Sequence, residues 1–171
     1  PGVVRHMFGN AFAVGEPDGS RSARIVRVSA LFEAAGFEAP VEGQIRRDIW
    51  TKLVANAALN PVSVITGKTL GAMLDEPATY RLLARIMVEV IGVADALGVE
   101  VTLPPERLLE ATRQLGDHKT SMLQDYEAGR SLELGPLVAA IVELAEWQGV
   151  DVSSLNMAYQ LVVAKLDPSQ E

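Results

Sequence analysis

Hydrophobic and polar positions divide this chain into a short mixed stretch followed by almost continuous helix. Residues 3–15 are rich in β-formers and broken by Gly9-Asn10, which predicts two strands around a turn, or a strand and a bend. Glu16-Pro17-Asp18-Gly19-Ser20 is a turn. From Ser22 to Ala35 the pattern is helical, with Ile25, Val28, Leu31 and Phe32 on one face and Gly36 closing it. Residues 37–41 fit a short edge strand, since Pro40 cannot serve a central one.

Beyond Gln44 the spacing predicts little but helix. One helix runs from Asp48 to Asn60, ended by Pro61, and a short segment broken by Gly67 and Gly71 follows to Leu74. Glu76–Leu97 is expected to be the longest helix, its stripe formed by Leu82, Leu83, Ile86, Val90, Val93, Ala94 and Leu97. Further helices are expected from Pro104-Pro105 to Leu115, from Thr120 to Gly129 and from Leu134 to Gln148. A last one, capped by Ser153 or Ser154, should run to about Leu166.

Within the helix from Asp48, three polar residues interrupt the apolar pattern at a regular interval. Lys52, Asn56 and Asn60 recur every fourth position, so each lies about 40° around the axis and about 6 Å along from the last. The resulting ridge of one ammonium and two amides reads either as a solvated or hydrogen-bonded stripe, or as the wall of a site for a polar small molecule. In the second reading Lys52 is a proton donor. A second stretch, residues 119–133, forms an amphipathic helix with Met122 and Leu123 inward, then a break at Gly129. Glu133 directly precedes an apolar helix, where a carboxylate suits the dipole and could also hold a substrate hydroxyl. Ser121 could hydrogen-bond a substrate carboxylate.

Composition narrows the classes. The chain has 171 residues, enough for one ordinary domain with a small appendage. It has no cysteine, which excludes thiol catalysis, thiolate-ligated metals and a disulfide framework. With a formal net charge of −7, a nucleic-acid or anionic-membrane partner is not expected. No apolar run has the length of a membrane span, and Pro1–His6 lacks the core of a signal peptide, so a cytoplasmic protein is expected. His6 and His118 are far apart without ligand spacing, and no metal is expected. Neither G-x-G-x-x-G, a phosphate loop nor a nucleophile elbow is present.

Taken together, Trp50-x-Lys52-Leu53-x-x-Asn56-x-x-x-Asn60-Pro61, Met87-x-Glu89, Lys119-x-Ser121-Met122-Leu123-Gln124-Asp125 and Gly129-Arg130-x-x-Glu133 resemble the ketopantoate reductase (2-dehydropantoate 2-reductase) family in order and spacing. The resemblance spans residues 44–165. Residues 1–43, with the turn Gly15-Glu16-x-x-Gly19, are similar to the end of that family's nucleotide-binding domain. It implies a mainly α fold: an all-helical C-terminal domain like that of 6-phosphogluconate dehydrogenases over residues 44–171, preceded over 1–43 by an α/β remnant of a Rossmann domain.

It also implies NADPH-dependent reduction of a 2-keto acid, ketopantoate, on the route to pantothenate. Lys52 matches the general acid, Asn56 and Asn60 the substrate-orienting amides, and Ser121 the serine near the substrate carboxylate. Glu133 matches the acid at the substrate hydroxyl or the nicotinamide side. Because the Gly-rich half is absent, the expectation is a fragment whose cofactor is bound mainly by a missing N-terminal domain. The family often has another Asn where this chain has Gly67-Lys68-Thr69-Leu70, which leaves a related 2-keto acid reductase of other specificity open. A helical dimerisation or binding module without activity is the rival class. Strand edges in residues 1–14 lead us to expect a homodimer.

Overall fold

The structure, a computed structural model, describes Gly2 and residues 9–166. It contains two compact units, Pro1–Ile49 and Trp50–Glu171. Residues 3–8 and His6, on which part of the strand and edge expectations rest, lie outside the described residues.

In the first unit, residues 10–14 and 38–42 run parallel. Phe12 N–H donates to Glu38 O (2.7 Å), Glu38 N–H to Asn10 O (2.8 Å) and Val14 N–H to Pro40 O (3.0 Å). Pro40 gives only its carbonyl to this pairing, as its missing N–H requires. Between the paired segments lies α1, Ala23–Ala34, whose first turn is capped by Ser22 Oγ accepting from Ile25 N–H at 3.2 Å. The two segments that flank this helix are joined by isolated parallel bridges, and no strand is formed among the described residues. Leu31, expected on the packed face of α1, is 71% exposed. Six residues at 100° each place it about 120° from Ile25, and Ser29, closer to Ile25 in angle, is buried instead. The Ser29 hydroxyl donates to Ala39 O at 2.6 Å.

The Gly15–Gly19 turn is held by its carboxylate. Glu16 is buried and accepts from the Ser22 hydroxyl and from Arg24, whose Nε lies at 3.1 Å. Arg24 and Ser22 hold its carboxyl below the usual carboxylate range. Gly15 packs so closely that a Cβ would lie 2.5 Å from Glu42 O and 2.6 Å from Ile45 Cβ.

The second unit is helical throughout its described length apart from connections, as the spacing predicts. Its helices are α2 (Ile45–Thr66, beginning in the first unit), α3 (Leu70–Asp75), α4 (Pro77–Ala96), α5 (Pro105–Arg113), α6 (Ser121–Glu127), α7 (Ala140–Gln148) and α8 (Ser153–Lys165). One core unites them, with Val54, Met73, Leu83, Ile86, Met87, Val90, Val138, Ile141, Leu155 and Val162 among its buried members.

Further expectations are corrected. Pro61 does not end α2, which continues to Thr66 and, at 22 residues against 20 for α4, is the longer helix. An internal proline forfeits one helical hydrogen bond and costs about 3 kcal/mol. Here every residue from Ala57 to Val64 is buried, and burial of side chains such as Val62 and Val64, worth roughly 1.5–3 kcal/mol each, offsets the loss. The helix stops only at Gly67, whose φ of +68° favours glycine.

The helix expected from Leu134 opens instead with a π-helical turn, Gly135–Ala139, before α7. Finally, α8 is not capped by a serine. Its N-cap position is Val152, which offers no side-chain acceptor. Ser153 N–H donates to Asp151 Oδ1 (3.0 Å), while Ser154 N–H (3.3 Å) and Leu155 N–H (3.0 Å) donate to Glu89 of α4.

Candidate active site

The polar ridge of α2 lies wholly within the second unit. Lys52 is exposed, and its ammonium forms no ion pair with a described carboxylate. Asn56 is half-buried one turn on, and Asn60 is only 4% exposed. Neither carboxamide is hydrogen-bonded to a described residue, and neither has a fully buried unsatisfied nitrogen or oxygen, so both keep contact with solvent. A carboxamide offers two donor protons and an acceptor oxygen, so each can take up a further partner.

Ser121 and Glu133 are exposed. Ser121 is the first residue of α6, whose N-cap is Thr120: its hydroxyl oxygen accepts from Leu123 N–H at 3.1 Å. Burial of Met122 and Leu123, as the pattern predicts, turns this end of α6 toward the core. Glu133 stands two residues before the π-turn, and its carbonyl accepts from Leu137 N–H at 3.3 Å. Turns of this kind widen the backbone locally and are frequent at functional sites. Like the amides, the Ser121 hydroxyl and the Glu133 carboxylate have no hydrogen bond to a described residue.

The segment leading to Ser121 is tied to α2 and α3 at successive points. Arg113 donates to Leu74 O (3.1 Å) and pairs with Asp75 (2.5 Å). Gly71 N–H donates to Gly116 O (2.7 Å) and Leu70 N–H to His118 O (2.9 Å). Ser63 and Thr120 then meet hydroxyl to hydroxyl at 2.6 Å. Ser63 also donates to the carbonyl of Asn60 at 2.7 Å. The structure thereby links Ser121 to Asn60 through neighbouring residues. No hydrogen bond joins Lys52, Asn56 or Glu133 to the other candidates among the described residues. Nearby, Lys165 of α8 lies 5.4 Å from the Tyr126 ring centroid and donates to Val64 O (2.9 Å), which holds α6, α8 and the end of α2 together.

Residues 44–166 match the family described as ketopantoate reductase PanE/ApbA, C terminal. The chain belongs to that family. A 2-dehydropantoate 2-reductase from Mesorhizobium japonicum is 41% identical over 95% of this chain and 50% of its own length. The chain thus spans about half the length of the curated relatives it matches. The crystal structure of 2-dehydropantoate 2-reductase from Methylococcus capsulatus superimposes with a TM-score of 0.86 at 29% identity, over 94% of this chain and 52% of that one. At 20% identity the fold is also that of a D-mandelate dehydrogenase solved with NADH and anilino(oxo)acetate, with a TM-score of 0.84 over 95% of this chain and 68% of that one.

Some features with evident roles were not legible as such in the sequence. Glu89, seen only as part of a motif, caps α8 from a distance of more than sixty positions. Ser63 fell in a segment read as broken by glycine, although its spacing of three from Asn60 was a signal for a side-chain bond back to that carbonyl. Lys68, standing where the family often has a further Asn, is paired with Glu76. His118 is engaged with the Leu115 carbonyl, and among the described residues no three His, Asp or Glu side chains gather as a metal site.

Proposed function

We propose that this chain is the substrate-binding and proton-donating part of an NADPH-dependent 2-dehydropantoate 2-reductase, which reduces ketopantoate to pantoate in the cytoplasm. Residues 44–171 form its helical domain and residues 1–43 the end of its nucleotide-binding domain. The observation that carries this reading is the set of polar side chains on one domain, Lys52, Asn56, Asn60, Ser121 and Glu133, that are not engaged by described residues, at the positions that match the family motifs. Family membership gives that set a target of matching chemistry: a small molecule with a ketone, a carboxylate and a hydroxyl.

Each residue then has a task. The Lys52 ammonium protonates the alkoxide oxygen and, by its charge, stabilises the negative charge as it develops. Asn56 and Asn60 donate to substrate oxygens and fix the face of the ketone. Ser121 holds the substrate carboxylate, and Glu133 accepts from the substrate hydroxyl or borders the nicotinamide. The cofactor supplies the hydride. Its phosphates find no cradle in the described Gly15–Gly19 turn, where a Cβ on Gly15 would already meet the backbone at Glu42 and the Glu16 carboxylate is engaged by Ser22 and Arg24.

The test is steady-state oxidation of NADPH by a full-length protein carrying this sequence, with ketopantoate and a panel of other 2-keto acids. Lys52→Ala is expected to lower turnover about 10²–10⁴-fold with ketopantoate as the preferred substrate. Undiminished turnover in that variant would remove Lys52 from the mechanism. A preference for a different 2-keto acid would keep the chemistry and change the substrate.

A further inference from the structure

Two buried hydroxyls take no part in the assignment above. Ser63 is fully enclosed and Thr120 nearly so, and they come from elements 57 positions apart. Their surroundings fix the direction of the bond between them. Thr120 Oγ1 accepts from Leu123 N–H at 3.1 Å, and Ser63 gives its single proton to Asn60 O at 2.7 Å. Thr120 must therefore donate to Ser63. A directed chain results, from the Leu123 amide through both hydroxyls to the Asn60 carbonyl. At one end stands Asn60, at the other the residue preceding Ser121.

We propose that Ser63 and Thr120 are positioning residues which hold the Ser121 hydroxyl in register with the Asn60 carboxamide, so that both engage one substrate molecule. This rests on the substrate-binding reading of Asn60 and Ser121. The attachment of this segment to the fold does not need the pair. Leu70–His118 and Gly71–Gly116 already tie the backbone, and Met122 and Leu123 supply the apolar anchor. What the hydroxyl chain adds is a specific spacing at position 120. Two well-packed apolar groups would serve cohesion equally well, since replacing both partners of a buried hydrogen bond is often nearly neutral for stability.

The experiment compares Ser63→Ala, Thr120→Val, their combination and Thr120→Ser in the full-length enzyme, with separate KM values for keto acid and NADPH. Ser63→Ala leaves the Thr120 cap on α6 intact while breaking the link. It is expected to raise the keto-acid KM about tenfold, the equivalent of one well-placed hydrogen bond, with the NADPH KM unchanged. Thr120→Ser, which keeps hydroxyl and cap, should remain within about twofold of the parent. The double variant should bind keto acid no worse than Thr120→Val, because both changes break the same link.

An unchanged keto-acid KM in Ser63→Ala, or equal rises in both KM values, overturns the proposal. Should Ser63→Ala fail to fold, Thr120→Val against Thr120→Ser decides the question in the same way. A parent enzyme that reduces no 2-keto acid overturns the active-site reading and this inference together. Activity that is lost in Lys52→Ala but indifferent to Ser63→Ala overturns the positioning role alone.

Discussion

Replacing Glu89 by alanine should destabilise the helical unit more than almost any other single polar change. The carboxylate is buried between α4 and α8, its side chain 3% exposed, and it receives Leu155 N–H at 3.0 Å, Ser154 N–H at 3.3 Å and Arg85 Nε at 3.1 Å. Two of these donors are first-turn amides of α8, which has no side-chain acceptor of its own at Val152. Alanine leaves both amides unpaired and discards the favourable placement of a negative charge at a helix N-terminus. Hydrogen bonds to charged groups contribute roughly 1.5–3 kcal/mol each, and a well-placed charge shielded from water at a helix end contributes up to about 2 kcal/mol. Allowing for water entering the vacated space, the loss should be about 3–5 kcal/mol.

For a chain of this size that corresponds to a Tm lower by roughly 10 °C. Glu89→Gln keeps the shape and one acceptor and should cost about 1–2 kcal/mol. Arg85→Ala should cost less than about 1 kcal/mol, because its side chain is 63% exposed. Urea denaturation followed by circular dichroism measures the differences. Hydrogen exchange at Ser154 and Leu155 shows whether the loss is local to the start of α8. Glu89→Ala within about 0.5 kcal/mol of the parent, or Gln costing as much as Ala, would refute the capping argument.

Glycine substitutions should separate close packing from open space. Gly15→Ala, whose Cβ would lie 2.5 Å from the Glu42 carbonyl, should cost about 1–3 kcal/mol, while Gly135→Ala, with nothing within 4 Å, should be neutral or stabilising in thermal melts. A neutral Gly15→Ala would contradict the packing of that turn. Acid should weaken the first unit through Glu16. Its carboxyl is held below the ordinary value of 4.5, so its contribution is complete above that value and disappears as pH falls through the lowered one. Melts of Glu16→Gln and the parent should therefore differ at neutral pH and converge as acid protonates the carboxyl; a constant difference would exclude this origin.

Local signals were sufficient for much of the molecule. Of the seven residues whose spacing marks the apolar stripe of α4, Leu83, Ile86, Val90, Val93 and Ala94 are buried, while Leu82 and Leu97, at its margins, are exposed. Lys52, Asn56 and Asn60 share a ridge because they are four residues apart on one helix, a relation that no tertiary contact is needed to establish. Motif order pointed to the family for the same reason: residue types and intervals are one-dimensional.

Other features depend on what packs against a segment, and there the chain order is silent. Pro61 reads as a stop, yet α2 passes through it because burial from Ala57 to Val64 outweighs one missing hydrogen bond. Two serines stand where a cap for α8 should be, yet the acceptor comes from Glu89 on another helix. Nothing in the spacing of Ser121 and Asn60 relates them, and it is a pair of buried hydroxyls between α2 and the start of α6 that does. Periodicity is set by neighbours along the chain and can be read from it. The satisfaction of a buried donor is set by neighbours in space, and only the folded structure decides which they are.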